Sequence, residues 1–100
     1  MPFRLETERR HSQRLILNRV VVVKQSTGQT KNLIGINYSA FGMALNSTEP
    51  LPGGEVIDLQ FWLTEPENKE INLLAKVLQN YKQGDQYINR VKFIDELSFN

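Results

Sequence analysis

No cysteine occurs in the 100 residues, and histidine occurs once, as His11. Disulfides and thiolate metal sites are thereby excluded, and one imidazole cannot furnish the ligand cluster of a metal centre. No apolar run approaches the roughly 20 residues that a membrane-spanning helix needs. The opening Met1-Pro-Phe-Arg-Leu-Glu6 lacks the apolar core of a secretory signal. A cytoplasmic protein with no membrane insertion, no metal and no cofactor is expected. Long helical periods, internal repeats and low-complexity tracts are missing too. So are the ingredients of catalysis. The flanks of Ser39 are not those of a nucleophile elbow, and His11 has no evident carboxylate partner. No catalytic residue is assigned, and an enzyme is not expected.

What the chain does contain is β-patterned. Residues 1–14 are mostly polar and read as a flexible basic arm, leaving 15–100 as the folded domain. Leu15 to Lys24 includes Val20-Val-Val-Val23, four β-branched residues that suit a strand and disfavour a helix. Further strands are predicted at Leu33–Tyr38 and Phe41–Leu45, followed by a loop over Asn46–Gly54 with two prolines and two glycines. Ile57, Leu59, Phe61 and Leu63 alternate with Asp58, Gln60 and Trp62, a period of two that buries one face. The same alternation returns at Ile71, Leu73, Ala75 and Val77, and the series closes with Tyr87, Val91 and Phe93. Six short strands joined by turn-rich loops predict an antiparallel barrel or sandwich.

The net charge of +1 conceals an asymmetry. Residues 1–24 carry six basic and two acidic side chains, a balance of +4, whereas 25–100 carry six basic and nine acidic, a balance of −3. A basic head on a mildly acidic body argues against general nucleic-acid binding, which needs a broad basic face. It favours a small anion held at one place. Two polar signatures frame the first predicted hairpin: Arg10-His-Ser-Gln-Arg14, and, after 22 intervening residues, Asn37-Tyr-Ser-Ala-Phe-Gly42. The first offers two guanidinium forks; the second offers an amide, a hydroxyl and a glycine at a chain reversal. Guanidinium groups bind both phosphate and the O6/N7 edge of guanine by paired hydrogen bonds.

This ordered pair resembles the signature of the PilZ domain, the bacterial receptor module for the second messenger cyclic di-GMP. That family carries Arg-x-x-x-Arg and then, across the first hairpin, Asp/Asn-x-Ser-x-x-Gly. The likeness runs over roughly 9–95 and takes in Leu51-Pro-Gly-Gly-Glu55 and Val91-Lys-Phe93. It implies an all-β fold, a six-stranded antiparallel split barrel with at most a short C-terminal helix. It also implies that Arg10, Arg14, Asn37, Ser39 and Gly42 contact cyclic di-GMP. Gly42, lacking Cβ, would let backbone approach the ligand or take a positive φ at the reversal. Arg9 adds a third arginine, placed to stack on a second ligand molecule of an intercalated dimer. Two departures stand out. Arg90 occupies a position where many members have glycine, adding a positive charge or altering a barrel edge. The chain also reaches Asn100 with little of the C-terminal helix that many members pack over the barrel.

The resemblance implies a sensor in which cyclic di-GMP draws the arm onto the barrel and so signals to an unidentified downstream protein. Motility, polysaccharide synthesis, pilus function and virulence are the family's outputs. The alternative is a PilZ-type protein–protein adaptor that binds no nucleotide; such members typically lack the arginines present here. Plainer readings stand beside these: Asn37 to Gly42 as no more than a turn, and His11 as a solvated side chain. Trp62 falls on the polar register of its strand, either covered by the arm or C-terminal segment or serving as a docking anchor. Lys76 shares the outward register of its own strand and is a further candidate to face the ligand.

Overall fold

The computed structural model describes residues 14–63 and 68–94. They form six strands: β1 Leu15–Lys24, β2 Thr30–Tyr38, β3 Gly42–Ser47, β4 Val56–Leu63, β5 Lys69–Gln83 and β6 Gln86–Phe93. All pairings are antiparallel, in the order β1-β2-β3-β6-β5-β4, and β4 bonds back to β1 to close a barrel. That closure eliminates the sandwich and leaves no open edge in the ring. No helix occurs among the described residues. The arm expected over 1–14 and any C-terminal helix lie outside them, apart from Arg14.

The alternating strands behave as their pattern dictates. Ile57, Leu59, Phe61 and Leu63 point inward with Val21, Val23, Leu33, Met43, Leu45, Ala75, Val77, Val91 and Phe93 to form one core. Intervening residues of β4 face out. β5 is longer than its predicted portion, because alternation stops at Val77 although pairing does not. Val77 pairs with Val91 and Gln79 with Arg90, so Leu78 is an extra residue, a β-bulge. The bulge shifts the phase: beyond it, Asn80 rather than Gln79 turns inward, and its amide donates to Leu51 O at 2.8 Å.

The loop from β3 to β4 carries Leu51 into the interior, where it is almost fully buried. Its backbone is held by Asn89, which has no solvent exposure. Asn89 Oδ1 accepts from Leu51 N–H at 2.9 Å, and Nδ2 donates to Leu45 O at 3.1 Å and Ser47 Oγ at 2.8 Å. This buried amide is thus well satisfied, as burial of so polar a group requires.

A second tie joins the β1–β2 turn to the start of β4. Glu55 accepts from Ser26 Oγ at 2.7 Å, Gln25 Nε2 at 3.1 Å and Ser26 N–H at 3.2 Å. The Ser26 hydroxyl is the largest cause holding the Glu55 carboxyl below its ordinary pKa; partial burial opposes it, and Gln25, the Ser26 amide and Lys31 add to it. Because the folded pKa is depressed, this stabilisation is present above the unfolded carboxyl pKa of about 4.3 and is lost as pH falls through the lower folded value. Glu55→Gln is therefore expected to lower Tm modestly at neutral pH, with the gap to the parent closing in acid. Thermal melts of both proteins across that range measure it; a gap independent of pH would contradict the assignment.

Candidate ligand-binding site

Arg14 stands immediately before β1, and its guanidinium donates from Nη1 to Asn37 Oδ1 at 2.8 Å. The two signatures, far apart in sequence, therefore meet through a side-chain hydrogen bond on the barrel's outer surface. β1 brings this about by pairing Ile16 with Asn37. Bulges set the direction of Asn37. Gly35 pairs with Leu45 and Asn37 with Ala44, leaving Ile36 as the extra residue in β2. Gly35 and Tyr38 are buried, so the bulge is what turns Asn37 outward and Tyr38 inward. A matching irregularity in β1 lies between Ile16 and Arg19, where Asn18 takes φ 52°. Asparagine is among the few residues that accept this left-handed conformation readily.

The chain then reverses tightly. Ser39 N–H donates to Gly42 O at 2.8 Å, and Ser39 Oγ accepts from Phe41 N–H at 3.1 Å. Ser39 is buried, so its hydroxyl first serves the turn; its proton is the part left to offer a ligand. Gly42 does not have a positive φ. A Cβ there would instead lie 2.3 Å from Val91 O. The glycine is needed for the close approach of β3 to β6, and conformational freedom at the reversal is not its role.

Beyond Asn37 the outward row continues through Ala44 on β3, Arg90 on β6 and Gln79 on β5. Lys92 and Lys76 pair with each other in the next outward row. Arg90, Lys92 and Lys76 are all exposed. Burial, and after it the charge of Arg90, push the pKa of the Arg14 guanidinium down. It remains protonated at neutral pH, and among the described residues no carboxylate pairs with it. Ala44 attracts no attention in the sequence, and Lys92 does so only as the middle of Val91-Lys-Phe93; their place beside the signatures follows from the register. Lys76, expected on outward phase alone, does face this surface. Arg9 and Arg10 lie outside the described residues. Trp62 is 52% exposed on the outer face of β4, opposite Glu70. Among the described residues no group of three or more histidine, cysteine or acidic side chains gathers to hold a metal.

Comparison with known proteins bears on the whole fold. The structure of the Bacillus subtilis inhibitor of motility, MotI/DgrA, is similar to this chain with a TM-score of 0.66 at 18% identity, over 86% of this chain and 44% of that one. The chain thus corresponds to less than half of that protein, and the likeness is one of fold. No curated protein matches the sequence. The PilZ domain family model matches residues 8–100, which include both signatures. With nearly its whole length matched and a closed six-stranded barrel beneath the motifs, the chain belongs to the PilZ domain family.

Proposed function

We propose that this domain is a non-enzymatic receptor for cyclic di-GMP, binding it at Arg9, Arg10, Arg14, Asn37, Ser39 and Gly42. The observation that carries this reading is the 2.8 Å bond from Arg14 to Asn37, which places a guanidinium fork and an amide side by side. Arg14 would meet phosphate or the guanine O6/N7 edge, and the Asn37 amide a Watson–Crick edge group. The Ser39 hydroxyl proton would reach the ligand from the turn, while Gly42 would act by letting that turn pack close to β6. Arg9 and Arg10 would be drawn in by the phosphates, folding residues 9–14 over the barrel's outer face. That ordering costs chain entropy, which the new contacts must exceed. The altered surface then passes the signal to a protein partner in the bacterial cytoplasm.

Calorimetric titration of the full chain with cyclic di-GMP tests the proposal. Saturable binding in the micromolar range or tighter is expected, with more than one ligand per chain if Arg9 stacks on a second molecule. A second reading, a nucleotide-independent adaptor, is favoured by the half-exposed Trp62, an aromatic of the kind that anchors interfaces. Absence of binding heat, together with no ligand-induced rise in Tm, would overturn the receptor in favour of that adaptor.

A further inference from the structure

We propose that Arg90, backed by Lys92 and Lys76, forms a second cationic wall of the site, facing Arg14 and Asn37 across Ala44 and contacting the ligand's second phosphate. This rests on the receptor reading above and adds residues that neither signature contains.

The register supplies the geometry. Asn37, Ala44 and Arg90 occupy consecutive positions in one outward row, so Asn37 and Arg90 stand two strands apart, about 10 Å between their backbones. The residue between them carries only a methyl group. Ala44 is 8% exposed and, with its short side chain, is the low point of the row between Asn37, bonded to Arg14, on one side and Arg90 on the other. The bulge at Leu78 turns Gln79 outward beside Arg90, adding an amide to the far wall. The adjacent row supplies Lys92 and Lys76.

The charges point the same way. No carboxylate occupies Ile16, Asn37, Ala44, Arg90 and Gln79, nor Gly42, Lys92, Lys76 and Val56, the positions of these two rows. Among the described residues the ion pair is Lys31 with Glu49, away from this face. Folding therefore brings Arg14 and Arg90 near one another with no ion-pair partner for either among the described residues, and the charge of Arg90, after burial, lowers the pKa of Arg14. An anion seated over Ala44 would relieve it. A cyclic dinucleotide carries its two phosphates on opposite sides of one ring. A clamp made of the arginine arm alone grips one side; Arg90 and the lysines offer the other phosphate a partner.

The test compares calorimetric titrations with cyclic di-GMP for the parent, Arg90→Gln, Arg90→Lys and Lys82→Gln, each at several salt concentrations. Arg90→Gln is expected to weaken binding on the order of tenfold and to flatten the dependence of affinity on salt. Arg90→Lys should retain the parent's salt dependence, since the charge persists, with part of the affinity. Lys82→Gln, which removes a cation at the far end of β5, should match the parent. Parent affinity and parent salt dependence in Arg90→Gln would overturn the second wall while leaving the receptor intact. Equal losses in Arg90→Gln and Arg90→Lys with unchanged salt dependence would also overturn it, as a packing effect. No binding by any of the four proteins would instead remove the receptor reading, and this proposal with it.

Discussion

Replacing Arg14 by alanine is expected to weaken cyclic di-GMP binding about a hundredfold or more while leaving the melting temperature within a few degrees of the parent. Arg14 is exposed, precedes the first strand, and takes no part in the core. Its visible interaction is the hydrogen bond to Asn37, an exposed contact whose loss costs the fold little. For a ligand the loss is larger. A fork that makes two charge-assisted bonds contributes about 3 kcal/mol, which is a factor of about 150 in affinity. Lysine should not restore it, because an ammonium offers neither the paired donors nor the flat face that stacks on a base. Titration calorimetry beside a thermal melt separates the two effects. Unchanged affinity in Arg14→Ala would show that the meeting of the two signatures serves something other than this ligand.

Gly42→Ala should do the opposite, damaging the fold before the site. An added Cβ would sit 2.3 Å from Val91 O and about as close as contact allows to Val91 C and Lys92 Cα, at 3.4 and 3.5 Å. These are backbone atoms of β6, which cannot swing aside as a side-chain tip can. Relief requires β3 and β6 to separate, and the two strands place Met43, Leu45 and Val91 in the centre of the core. Overpacking of this kind costs about 3 kcal/mol or more, a fall in Tm of more than about 12 °C for a domain of this size. A melt close to the parent's, with ligand binding lost, would mean that the glycine acts on the ligand directly and that β3 tolerates the methyl.

These two residues show where the sequence is legible and where it is not. The number of strands and their order along the chain follow from alternation, because a two-residue period with turn residues between runs has few other solutions. β4 shows this best: Ile57, Leu59, Phe61 and Leu63 are inward as their spacing requires. Alternation fails wherever a strand carries an extra residue. Leu78 hides the last third of β5, and Ile36 hides the fact that Asn37 faces outward and Tyr38 inward, the reverse of what alternation from Leu33 and Gly35 gives. Nothing local marks either bulge, since each is imposed by pairing with a distant strand. The site is legible to the same degree. Its polar signatures stand out by residue type, but the bond between Arg14 and Asn37 depends on β1–β2 register. The far wall at Arg90 depends on β3 pairing with β6, a contact between chain segments more than 40 residues apart. Ser39 and Gly42 were identifiable as a reversal, yet the buried hydroxyl serving Phe41 and the clash at Val91 emerge only from the folded backbone.

Backbone amide hydrogen exchange, measured on the full chain with and without saturating cyclic di-GMP, decides whether the ligand binds between the arginine segment and the barrel. The ligand is expected to slow exchange at residues 9–14 together with 37–42, as it must if the arginine segment closes over the outer face beside Asn37. A saturated complex in which residues 9–14 exchange as fast as in the free protein, with protection appearing elsewhere on the barrel, would contradict it.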